Sequence, residues 1–205
     1  MGYRTGACHD ARGAAGRGKG AAGSFLSPRF PGRARVSSPE LKPSSFSPDT
    51  LELLRLLGEH GVRYVVVGGQ AVIYYGYPRL TGDIDLFFDP VLDNATHLFE
   101  ALTEFWGGSV PGVETTNELT REGLILQFGR PPNRIDFMNY VDGLKFKEAW
   151  DTRLVLGIAG TDIQVPYLSL AKLIQNKEAS GRPRDLEDLE YLRRAEQLGN
   201  QSPKA

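Results

Sequence analysis

Three short apolar runs, "VRYVVVGG" from Val62, "DIDLFF" from Asp83 and "RIDFMNY" from Arg134, alternate with stretches of helical periodicity. Runs of this length bounded by turn residues read as buried strands, and strands interleaved with helices confine the chain to an α/β architecture. "SPDTLELLRLLGEHG" predicts a helix: Ser47 can cap it, Pro48 suits its first turn, Leu53, Leu54 and Leu57 form its apolar stripe, and Gly61 stops it. "QAVIYYG" predicts a short helix, and "DNATHLFEALTEFW" a longer one with Leu98, Phe99, Leu102, Phe105 and Trp106 on one face. "GLILQFG" reads as a strand joined to "RIDFMNY" by the turn-rich "RPPN". A short helix at "KFKEAW" precedes "RLVLGIA" and "TDIQVPY", a hairpin or edge pair, and the helices "LSLAKLIQNKEA" and "RDLEDLEYLRRAEQ" close the chain. Strands adjacent in sequence, set among alternating ones, predict a mixed sheet rather than a purely parallel one.

The chain divides by composition at about residue 46. Residues 1–46 are rich in Gly, Ala, Arg, Ser and Pro without apolar periodicity, and are expected to be a disordered basic tail. Within them "GKGAAG" and "GAAGRGKG" imitate phosphate-binding loops, but neither follows a strand and Lys19 is not followed by Ser or Thr. Residues 47–198 are expected to form one domain, with a short disordered end at 199–205. Residues 1–49 hold eight Lys/Arg against three Asp/Glu, or +5, which leaves 16 against 22, or −6, for the remainder. An acidic ordered part argues against a protein that wraps nucleic acid over its whole surface. No apolar run reaches the ~18 residues that a membrane span needs. One cysteine, Cys8, excludes an internal disulfide and, with only His9, His60 and His97, leaves no zinc-ligand spacing; a reducing cytoplasm is the expected location. "NAT" at Asn94 fits a glycosylation acceptor only by chance in that setting.

The informative residues are aspartates inside strands. Side chains alternate faces with period two, so Asp83 and Asp85 share one face while Ile84 and Leu86 take the other, and the strand rise sets the two aspartate Cα atoms ~6.5–7 Å apart. Asp136 interrupts a second apolar strand in the same manner, between Ile135 and Phe137. If those strands are neighbours, three carboxylates share a face, where like charges repel unless a cation joins them. Two divalent ions on such a cluster are suited to phosphoryl transfer. Gly68 and Gly69, at the end of "YVVVGG", allow the backbone to approach a ligand closely, and the start of the next helix presents N–H groups that favour phosphate.

In this combination the chain resembles the nucleotidyltransferase superfamily related to DNA polymerase beta: a strand ending in Gly-Gly, a short helix, a strand bearing Asp-x-Asp, and a third Asp on a later strand. Thirteen residues separate Gly69 from Asp83, and Asp85 and Asp136 follow in order. "VGGQAVIYYGYPRLTGDIDLFF" with "LIQNKEASGRPRDLEDLEYL" is similar to small prokaryotic stand-alone nucleotidyltransferases, toxin-like and antitoxin-like members among them. The resemblance implies a mixed β-sheet nucleotidyltransferase fold flanked by helices, with C-terminal helices. It implies that Asp83, Asp85 and Asp136 hold two Mg²⁺ ions, or Mn²⁺ in their place, and carry catalysis with an NTP as substrate. Gly68 and Gly69 would shape the phosphate loop, where relatives often have serine at the second position. Arg79, Thr81 and Lys177 would meet the phosphates, with Lys172 the weaker lysine. Arg182 or Arg184 would pair with Asp185, which opens the last helix. The acceptor would be a hydroxyl of RNA, such as a tRNA 3′ end, of a partner protein or of a small molecule. The competing expectation is a non-catalytic antitoxin or regulatory module with a cognate partner.

Overall fold

The computed structural model describes residues 40–78, 81–131 and 133–201. The tail up to residue 39, Arg79 and residues 202–205 lie outside them, and with them the expectations made for those positions.

Among the described residues seven strands form one mixed sheet in the order β1-β6-β7-β2-β3-β5-β4. In chain order these are β1 (Glu40–Leu41), β2 (Tyr64–Val67), β3 (Ile84–Phe88), β4 (Ile125–Phe128), β5 (Ile135–Met138), β6 (Leu154–Ile158) and β7 (Gln164–Tyr167). The central β2, buried along its whole length, pairs antiparallel with β3 and parallel with β7. β6 and β7 pair antiparallel, as the expected hairpin does. Ahead of residue 47, Glu40 and Leu41 pair in parallel with β6, and a 3-10 turn follows at Pro43–Ser45.

The helices are α1 (Pro48–Glu59), α2 (Gly68–Tyr74), α3 (Leu92–Phe105), α4 (Phe146–Asp151), α5 (Leu170–Ser180) and α6 (Pro183–Gln201). α1 starts where its sequence says, with Ser47 Oγ accepting the Thr50 N–H at 3.1 Å and Pro48 at the first position. Its stripe of Leu53, Leu54 and Leu57, joined by Leu56, is buried. α3 buries Leu98 and Leu102 of the expected face fully and packs Phe99 and Phe105 against the core in part; Ala95 and Ala101 join them fully buried, while Trp106 is 39% exposed. Small side chains let α3 lie close to α1, and its large rings move to the rim. From there a chain of ring contacts, with centroids 5.3–6.2 Å apart, runs inward from Phe105 and Trp106 through Phe128 to the buried Phe137.

Alternation along β3 separates the two faces of the sheet. Phe88 meets Phe137 on the α3 side, whereas Phe87 meets Phe146 of α4 on the other. Asp85 shares the parity of Phe87 and so stands on the α4 side. Asn94 is 1% exposed, accepts the Arg63 N–H at 2.6 Å and donates to the Arg63 and Asp89 carbonyls at 3.0 and 2.8 Å. It ties α3 to the ends of β2 and β3, which is incompatible with a carbohydrate acceptor.

Candidate active site

β3 and β5 are parallel neighbours, and Asp85 stands directly opposite Asp136 in their register. Residues paired in this way project from the same face, so the two carboxylates meet. Asp83 lies one residue ahead of β3 and is brought to the same cluster by Arg134. The Arg134 guanidinium donates to both oxygens of Asp136, at 2.7 and 2.9 Å, and reaches Asp83 Oδ2 at 3.0 Å. Gln127 of β4, opposite Asp136 across the antiparallel pair, donates to Asp136 Oδ2 at 3.1 Å. Asp136 is only 4% exposed, and this fork-shaped clamp is what makes a buried carboxylate there tolerable. The hydrogen bonding to Asp136 first, and then the charges of Asp136, Asp83 and Asp85, raise the Arg134 pKa above its already high ordinary value, against the effect of burial.

Asp85 has no such clamp. Burial first, and the charge of Asp136 next, push its carboxyl up to about 6, against a hydrogen bond from the Gly69 backbone N–H; Asp83 adds to the rise and Lys177 opposes it. The glycine bend is built around this carboxylate. Gly68 has φ +60°, and a Cβ placed there would fall 2.0 Å from Asp85 Oδ2. The diglycine therefore serves the acid as well as any ligand, a reason for glycine that the sequence reading did not include.

The cluster opens into a cavity of about 660 Å³, lined by Gly68 and Gly69 at the start of α2, Asp85 and Asp136 on the sheet, and Arg134 beside β5. Ile125, Met138 and Tyr140 add an apolar strip, and Lys177, Arg182, Arg184 and Asp185 add charge from α5, α6 and the turn between them. Thr81 stands beside the cluster with its hydroxyl turned back to the Asp83 carbonyl at 3.4 Å. Lys177 reaches the cavity wall, but its ammonium is bound to Asp185 and, at 2.9 Å, to Asp188. All three are nearly inaccessible, at 6%, 6% and 1% exposure. Burial tends to raise the Asp185 pKa, but the Lys177 and Ser180 hydrogen bonds hold it below the ordinary value. This knot fastens the end of α5 to the start of α6 across Gly181, whose φ of +59° ends α5. Arg182 lies 3.7 Å from Asp142, its charge adding to the lowering of Asp185. Lys172 pairs with Glu148 and Gln175 instead, at 2.9 Å each.

Arg134, Gln127 and Asp188 are the site residues that sequence reasoning missed. A signal existed for Arg134, since it precedes Asp136 by two and so shares its face. Gln127 required the β4–β5 register, and Asp188 required the packing of α6. Among the described residues no three His, Cys, Asp or Glu side chains are gathered so as to hold a metal ion as they stand. The Arg134 guanidinium sits between two of the three carboxylates. The donor set is nevertheless one of hard oxygens, which fits Mg²⁺ or Mn²⁺ and not a thiophilic metal, and the cluster already accepts a cation. Among the described residues no helix is long and apolar enough to cross a membrane.

Residues 49–198 match the family model described as "Nucleotidyltransferase of unknown function (DUF6036)". No curated protein matches the chain.

Proposed function

Because the chain belongs to that nucleotidyltransferase family, we propose that it transfers a nucleoside monophosphate from an NTP to an acceptor hydroxyl and releases pyrophosphate. Asp83, Asp85 and Asp136 would hold a pair of Mg²⁺ or Mn²⁺ ions. The reading rests on one observation above all: Asp85 and Asp136 stand in register on parallel strands, beside the Gly68–Gly69 bend and on the wall of one cavity.

When bound, the divalent pair would neutralise the attacking and leaving oxygens of an in-line displacement at phosphorus. The chain's own contribution is placement. Gly68 leaves room for the Asp85 carboxylate, and Gln127 fixes the orientation of Asp136. Asp136 is the group assigned to draw the proton from the acceptor hydroxyl. Arg182 and Arg184 offer positive charge to the triphosphate, and Ile125, Met138 and Tyr140 offer an apolar surface to a base or an acceptor. Lys177 acts through the α5–α6 knot, by setting where that part of the wall stands.

Incubation of the full chain with α-labelled NTPs and a cell extract tests the reading and sorts the acceptors into RNA, protein and small molecule. Asp83→Asn and Asp85→Asn are each expected to lower labelling roughly 10²–10³-fold, the scale of losing one preorganised electrostatic group. Labelling that survives either change refutes the assignment.

One observation favours a second reading, a non-catalytic antitoxin or regulatory module with a cognate partner: Arg134 neutralises Asp83 and Asp136 from within the chain, so the cluster persists without metal. Titration with Mg²⁺ and each NTP separates the two. Saturable, metal-dependent nucleotide binding supports the enzyme, and its absence at millimolar ligand supports the module.

A further inference from the structure

We infer that Arg134 is the resting counter-ion of the aspartate cluster and competes with the divalent cation for Asp83 and Asp136; the inference rests on the metal-dependent reading above. The guanidinium already makes the contacts a metal would need, with two hydrogen bonds to Asp136 and a third interaction with Asp83. It cannot leave by giving up a proton, since arginine stays charged in proteins. Entry of a cation therefore requires the side chain to swing away as a whole. It has a route: the Arg134 side chain is 30% exposed, whereas that of Asp136 is 6% exposed. An anionic ligand in the cavity would give the displaced guanidinium a new partner, so metal and triphosphate bind with positive coupling.

Two consequences follow for the full chain without nucleotide. Its metal affinity is lower than a bare aspartate trio would have, and its stability without metal depends on Arg134. Mn²⁺ binding, followed by the electron paramagnetic resonance signal of the free ion, reads the first directly. Arg134→Gln is expected to bind Mn²⁺ roughly tenfold tighter than wild type, the scale of one charge-assisted contact. Arg134→Lys, which keeps the charge but loses the fork, is expected to fall between them and covers the case in which the glutamine variant does not fold. Arg130→Gln removes the same charge from an exposed position nearby and is expected to leave the affinity near wild type. In thermal unfolding, Arg134→Gln should melt below wild type without metal and recover with Mn²⁺.

Equal Mn²⁺ affinity in wild type and both Arg134 variants overturns the competition while leaving the metal-dependent function intact. An equal gain in Arg130→Gln overturns it too, by showing a general effect of net charge. Failure of wild type and folded variants alike to bind Mn²⁺ overturns the metal-dependent reading, and the competition with it.

Discussion

Gly68→Ala is the most demanding test of how the bend and the acid are joined. The residue has φ +60°, where an L-side chain costs roughly 1–2 kcal/mol. The added Cβ would also lie 2.0 Å from Asp85 Oδ2, 2.8 Å from Cγ and 3.1 Å from Cβ, so the Asp85 side chain must move. Turning that carboxylate off its rotamer costs roughly 0.5–1.5 kcal/mol. The sum, about 1.5–3.5 kcal/mol, corresponds to a fall in Tm of roughly 3–14 °C for a chain of this size. Urea or thermal unfolding without metal measures it. Gly112→Ala separates the two parts, because Gly112 has φ +77° but open space around its Cβ position, and so should show the backbone cost alone. Gly58→Ala sets the opposite sign: Gly58 lies within α1 with nothing within 4 Å of its Cβ position, and alanine there should add about 0.5–1 kcal/mol. In an Asp85→Ala background, Gly68→Ala should cost about 1 kcal/mol less than in wild type, since the colliding carboxylate is gone. An undiminished cost in that background would refute the claim that the glycine is there to make room for the acid.

The remaining expectations concern the α5–α6 knot. Lys177→Met removes the buried ammonium that Asp185 and Asp188 share and should cost about 3–5 kcal/mol in urea unfolding, most of it regained when both aspartates are also changed to Asn. Acid should act on the same knot. The folded pKa of Asp185 lies below its ordinary 3.8, so its contribution is complete above that value and is lost as pH falls through the lower folded one. Unfolding free energies measured from pH 5 to pH 3 should therefore drop less steeply in Asp185→Asn than in wild type.

Local chemistry made part of this molecule legible in its sequence. Ser47 and Pro48 announce α1 because caps act over three residues, and β2, β3 and β5 announce themselves by short apolar runs between turns. The aspartates stood out for the same reason, being charges where a strand should bury hydrocarbon. What stayed hidden belongs to tertiary pairing. The two residues of β1 have no period to read, and only β6 makes them a strand. The burial of α3 follows the closeness of its neighbour, which favours Ala95 and Ala101 over the larger rings that periodicity marks. Lys177 reads as a phosphate ligand until Asp188 is seen folded against it, and the role of Arg134 emerges only once Asp83 and Asp136 are brought to the same side.

The adjacency of positions 85 and 136 is fixed across the sheet and not along the chain. The loops on either side of α3 and β4 can lengthen or shorten without disturbing it, provided that β4 still pairs with β5 and keeps Gln127 opposite Asp136. A single residue inserted between Ile135 and Asp136 is different, for it would rotate the third acid to the opposite surface of the sheet. Members of such a lineage are thus free to vary in length between these strands, while the few residues within each strand must keep count.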